Sequence, residues 1–205
     1  EQDPSARKLI NFLTLKNTPI LNKYSFEYNN GKLELFKNKK KLSSINPNNL
    51  NETKLLEKEI SNLDSLVKSP VFLLKNKNKP FFDTNSGGEV MNSISLINHN
   101  SIKDIEDKIS QKVEYQRFRG NFYIEGLPPW KERDLLGKII NIGGISFRID
   151  ENIPRCSATN LRPKTDKSTF NLPQKLKQLY GHSDLGVYIL PLDDGEVSCG
   201  DQVKF

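Results

Sequence analysis

The stretch ISFRIDENIPRCSATN, residues 145–160, changes character part-way along. Ile145, Phe147 and Ile149 alternate with Ser146 and Arg148, the pattern of a half-buried strand. Pro154 cannot donate to a strand ladder, and a polar run follows it. Cys156 is therefore expected at a strand end or in a loop, not in mid-core. Two readings of its sulfur stand side by side. A lone cysteine commonly acts as a small buried hydrophobe. Beside Arg155, and with Ser157, Thr159 and Asn160 able to hydrogen-bond, it can instead favour the thiolate, which attacks, accepts sulfur or binds a soft metal. The other cysteine, Cys199, alternates with Val197 and is expected to be a packed, structural residue.

Working outward, the flanking segments supply more strands and a few helices. LGVYIL reads as a buried strand, and GEVSCGDQVKF as two short strands around Gly200. NLPQKLKQLYG reads as a helix: Pro173 sits in its first turn, Leu172, Leu176 and Leu179 share a face, and Gly181 ends it. SISLINHNSIKDIEDKI joins a short strand to a helix carrying Ile102, Ile105 and Ile109, with Asn98, Asn100 and Ser101 placed to cap it. VEYQRFRGNFYIEG reads as one or two strands, stopped by the prolines of LPPW. Further upstream, KYSFEYNNGKLELF carries alternating Tyr24, Phe26 and Tyr28 before Asn30-Gly31, a strong hairpin signal. NETKLLEKEISNL places Leu55, Leu56, Ile60 and Leu63 at helical period. KNKNKPFFDTNSGGEV is expected to be a loop. Many short strands with few helices predict a mainly β, α+β architecture: a closed or nearly closed sheet with peripheral helices.

Composition narrows the class. A chain of 205 residues can bury a sizeable core without disulfides, and two distant cysteines do not form a secreted framework. No membrane-length apolar run and no signal-peptide pattern is seen, so a reducing, cytoplasmic setting is expected. The net charge of +6 comes from dispersed lysines, with no basic block interleaved with aromatics, which speaks against a nucleic-acid partner. A small anionic ligand suits this balance. Cys156, His182, Cys199 and His99 lack the close spacing of a zinc site. Arg117, Arg119 and Asn121 would share one face of a strand by period two, either as a clamp for a phosphate or planar polar ring, or as an exposed face paired to carboxylates.

Taken in order, SISLINHNSIKDI, RFRGNFYIEGLPPW, IPRCSATNLRPKT, YGHSDLGVYI and GEVSCGDQV resemble a MOSC domain, the C-terminal domain of molybdenum cofactor sulfurases. The resemblance implies a MOSC-type β-barrel core over 91–205, with 1–90 an N-terminal β/α elaboration packed on the barrel. It implies molybdenum-molybdopterin as cofactor and, by similarity to the amidoxime-reducing proteins, Cys156 as catalytic and metal-ligating thiol. Arg119 and Asn121 become pterin contacts, Arg155, Thr159 and Asn160 line the site, and Asn98 lies near it. Arg117, His182 and Asp184 are added by position. Three functions follow: a small oxidoreductase reducing N-hydroxylated substrates, a persulfide or cofactor carrier working through Cys156, or a degenerate binding module without metal. No pyridoxal-phosphate lysine domain or ferredoxin-like cysteine cluster is read in this chain. Its electron donor or cysteine desulfurase is thus expected to be a separate protein. Three departures stand out: the family's opening strand and lysine-containing loop have no counterpart, Gly120 replaces a common proline, and Asn160-Leu161-Arg162 follows the threonine where aspartate is common.

Overall fold

The computed structural model describes residues 12–65, 67, 70–74 and 93–205. The loop expected over residues 75–90 lies outside them. Two compact units are present. One comprises the described part of Glu1–Thr84 together with Leu161–Thr169, and the other the described part of Asn85–Asn160 with Phe170–Phe205.

The first unit is built on a three-stranded antiparallel sheet, β1 (Tyr24–Asn29), β2 (Lys32–Lys37) and β3 (Lys40–Ile45), in that order. Asn30 and Gly31 both take positive φ, 49° and 77°, so the expected hairpin closes with a primed turn that matches strand twist. Helix α1 (Leu50–Ser61) starts at Asn49, whose side chain accepts from the amides of Asn51 and Glu52. Leu35, Ile45, Leu56 and Ile60 form the core. Leu55 departs from the expected apolar face and is 63% exposed. Adjacent helical residues point about 100° apart, so a stripe through Leu56 and Ile60 turns Leu55 outward.

The second unit is a nearly closed six-stranded barrel sheet with strand order β5-β4-β8-β7-β6-β9. Its strands are β4 (Ile94–Asn98), β5 (Phe122–Ile124), β6 (Ile139–Ile142), β7 (Ile145–Pro154), β8 (Asp184–Pro191) and β9 (Val203–Lys204). Helices α2 (His99–Ile109) and α3 (Leu172–Tyr180) complete it. Among the described residues only β4 and β5 pair in parallel. One core cluster gathers Leu96, Phe147, Ile149, Val187 and Ile189; the other gathers Ile97, Ile153 and Leu185 with the apolar faces of α2 and α3. Period two would keep Ile153 with Ile149, and Leu185 with Val187. The register between β7 and β8 shifts at Ile149/Glu151 and again at Asn152/Pro154. These bulges turn both strand ends over, so Pro154 and Asp184 leave the barrel together.

Three expectations are corrected here. The segment before β5 is not a strand: Tyr115–Phe118 forms a 3-10 turn and Arg119 is left-handed, with φ 51°. GEVSCGDQVKF forms one strand, β9, rather than two, and Cys199 is exposed rather than packed, although Val197 does pack on the barrel core. Leu179 is 40% exposed, while Leu172 and Leu176 carry the buried face of α3.

Candidate functional site

Beyond Pro154 the chain makes one 3-10 turn, Ser157–Asn160. The Thr159 amide and hydroxyl both donate to the Cys156 carbonyl, at 3.0 and 2.8 Å. Thr159 is 4% exposed, so it locks the turn from within instead of lining a cleft. Asn160 Oδ1 accepts from the Leu172 amide at 2.8 Å, fixing the start of α3 to the same turn. The Cys156 side chain is exposed, as its place after a strand-ending proline predicts.

Three arginines converge on this turn in different ways. Arg155 donates its amide to Ser183 O at 2.9 Å. Its guanidinium donates through Nε (2.8 Å) and Nη2 to Leu185 O, and through Nη1 to Phe118 O at 3.2 Å. Burial pushes its pKa down to about 10, opposed by the nearby Tyr188, Tyr123, Cys156 and Asp184 groups. Arg117 is 2% exposed, paired with Glu114 at 2.6 Å, and donates to Asn160 O at 2.8 Å. Arg119 is exposed and donates to Arg117 O at 3.0 Å and Ala158 O at 3.3 Å. Desolvation lowers the Arg119 pKa, and the nearby Cys156 and then Tyr123 side chains act against that. The left-handed backbone at Arg119 rules out the strand face expected for Arg117, Arg119 and Asn121. Arg117 braces the turn internally, Arg155 ties the strand end before it to β8 and to Phe118, and Arg119 meets it at Ala158 O.

The asparagines are mostly engaged inside the fold. Asn121 Oδ1 accepts from the Ser95 amide and hydroxyl at 3.0 and 2.7 Å. Asn98 is fully buried: Oδ1 accepts from the Asn100 amide, while Nδ2 donates to Pro128 O and Glu132 Oε2, each at 2.9 Å. Glu132, also fully buried, accepts from Ser101 Oγ at 2.7 Å and so ties the α2 start to the loop after LPPW. Sequence reasoning missed Glu132, and its only signal was a carboxylate among polar neighbours.

On the Ser183 side, the Asp184 amide donates to His182 Nδ1 at 3.2 Å and Arg133 pairs with Asp184 at 3.0 Å. That places the imidazole proton on Nε2. Desolvation and Arg133 lower the His182 pKa, against the opposing pull of Asp184. His182 and Asp184 therefore flank the Cys156 turn through Ser183, while Arg133 was not anticipated. Nor was an aromatic group at the other flank, where the His99, Tyr115 and Tyr123 rings lie 5.0 to 5.4 Å apart.

A family model for the MOSC domain matches residues 83–204, more than half of the chain. This chain belongs to the MOSC domain family. That family is associated with molybdenum-cofactor binding and sulfurase-like function. Among solved structures, the crystal structure of YiiM from Geobacillus stearothermophilus is similar to this MOSC chain at 22% identity, with a TM-score of 0.44. The match covers 58% of this chain and 55% of that one, so it spans about half the length of YiiM. No curated protein matches the chain at a significant level. Among the described residues, no helix is long and apolar enough to cross a membrane.

Proposed function

We propose that this MOSC protein binds the molybdenum cofactor through Cys156 and acts as a small oxidoreductase on N-hydroxylated substrates, with electrons from a separate donor protein. One observation carries the reading: an exposed sulfur on a turn whose backbone is tied from within, with a guanidinium held at Ala158 O beside it. The donor set fits such a group. A thiolate is the soft ligand that molybdenum accepts. Arg119 would offset the phosphate charge of the pterin, and Asn121, two residues on, would add an amide contact to it. Arg155, Arg117, Thr159 and Asn160 hold the turn in shape, and Asn98 holds the β4–α2 junction. When bound, the group supplies a redox-active metal at which a substrate oxygen can be removed.

The test is elemental. Protein from a host that makes the cofactor is expected to carry about one molybdenum and one pterin per chain, and Cys156→Ala to lose most of the metal. Absence of pterin from both forms would reject the reading.

The exposure of Cys156 also favours a second reading, as a sulfur carrier. Its thiolate would attack the outer sulfur of a desulfurase persulfide, the sulfur–sulfur bond would break, and the desulfurase cysteine would leave as thiolate. Mass spectrometry after incubation with a cysteine desulfurase and cysteine should then show one added sulfur on Cys156. No adduct, together with turnover of an N-hydroxylated substrate, excludes the carrier.

A further inference from the structure

Arg119 reaches the Cys156 turn from a backbone conformation that side-chain-bearing residues rarely adopt, φ 51°. Such a conformation persists where its neighbours over-determine it. Two hydrogen bonds do so here, and both pass through one oxygen. The Gly120 amide donates to Tyr123 Oη at 2.9 Å, and Tyr123 Oη donates to the Tyr115 carbonyl at 3.0 Å. The phenol thus joins the residue that opens the 3-10 turn to the residue just after Arg119. A Cβ at position 120 would stand 2.5 Å from Ile97 Cγ1 and 3.1 Å from Tyr123 Cζ, so only glycine lets the ring come this close. His99 and Tyr115 hold that ring in place, with centroids 5.4 and 5.0 Å away. Desolvation raises the Tyr123 pKa, which keeps the hydroxyl protonated and able to donate.

We infer that Tyr123 is a positioning residue for Cys156: its hydroxyl fixes the Arg119 turn so that the guanidinium stays beside the sulfur. The inference rests on the proposed function only in taking Cys156 as the reacting atom, and it needs no bound cofactor. Its consequence is charge selectivity. A guanidinium held there draws anions to the sulfur, and without the Tyr123 hydroxyl the backbone that aims Arg119 loses its tie between Tyr115 and Gly120.

Iodoacetate and iodoacetamide read this directly on the full chain, made in a host lacking the cofactor pathway. Both react as the thiolate displaces iodide, so the thiolate fraction cancels from the ratio of their rates and only reagent charge remains. Cys199, also exposed, is the reference in the same sample, with peptide mass spectrometry separating the two sites. At low salt the anionic-to-neutral ratio at Cys156 should exceed that at Cys199 by about threefold to fivefold. Tyr123→Phe and Arg119→Ala should each lower it by about threefold, leaving Cys199 unchanged. A merely loosened fold would speed both reagents at both cysteines without lowering one ratio, and that result overturns the assignment. If Arg119→Ala lowers the ratio and Tyr123→Phe does not, Tyr123 is not the positioning residue and the cationic site stands. If neither lowers it, Arg119 does not act on the sulfur, and the site reading falls as well.

Discussion

Gly186 shows how closely the site end of the barrel is fitted. Its φ is 77°, and a Cβ there would lie 2.6 Å from both Leu96 O and Ile97 Cδ1, and 3.3 Å from Arg155 Nη2. The Arg155 guanidinium thus lies against a bulge that only glycine can make, donating to the carbonyl just before it. Gly186→Ala is expected to destabilise the protein by about 2–4 kcal/mol, from left-handed strain plus overpacking against backbone. Urea unfolding measures this, and a loss below about 0.5 kcal/mol would show that the bulge relaxes freely. At the same scale, sequence pattern separated the two cysteines unevenly. Pro154 and the polar run exposed Cys156 to reasoning, because both report directly on where the strand stops. Cys199 followed the alternation of Val197, but the chain there forms no strand, so period two had nothing to act on. The roles of Asn98 and Thr159 were hidden for another reason: a polar side chain that satisfies buried backbone reads like one that meets a ligand.

Helices α2 and α3 are tied to each other and to the loop after LPPW by one carboxylate. Asp104 Oδ2 accepts from Trp130 Nε1 and Tyr180 Oη, each at 2.7 Å, and from Lys108 Nζ at 2.9 Å. Partial burial acts to raise its pKa, but the hydrogen bonds from Trp130, Lys108 and Tyr180 outweigh it, and the net shift is downward. A carboxyl depressed in the folded state binds fewer protons there than in the unfolded chain, whose Asp titrates near about 3.9. Its stabilisation is complete above that value and is lost as pH falls through the lower folded value. Urea midpoints compared at about pH 5 and about pH 3 should therefore drop further in the wild type than in Asp104→Asn. Equal drops would mean that the three donors bind the neutral carboxyl just as well. These helices were legible because their stripes and caps are local: Asn98 does cap α2 and Gly181 does end α3. The segment over 115–121 was not, since alternating Tyr, Arg and Phe fit a strand, while the contacts of Tyr123 across the turn and of Arg117 with Glu114 and Asn160 hold the 3-10 form.

The partition of the whole chain cuts across its order. The family resemblance implied a boundary near residue 90; Leu161–Thr169, which lies between the Cys156 turn and α3 in sequence, groups with the N-terminal unit. Its ties explain why. Asn22 Nδ2 donates to Arg162 O at 2.8 Å and Thr165 O at 2.6 Å, and Lys23 pairs with Asp166 at 2.7 Å. Two adjacent residues before β1 thus hold a loop roughly 140 positions away in sequence, a contact that no local pattern announces. Asn22 and Lys23 thereby order the 161–169 loop within its own unit. Trypsin tests this, because the loop carries Arg162, Lys164 and Lys167. Cleavage after a loop residue tracks how often its backbone opens, and two hydrogen bonds through one amide at about 1 kcal/mol each set that frequency. Asn22→Ala should speed cleavage in this loop about tenfold or more, while cleavage after Lys58, on the exposed side of α1, changes little. Lys23→Ala should add little, since a half-exposed ion pair contributes at most about 1 kcal/mol. Parallel acceleration at Lys58 would point instead to opening of the whole unit, and unchanged cleavage in the loop would mean that its own bridge between Leu161 and Ser168 is sufficient to close it.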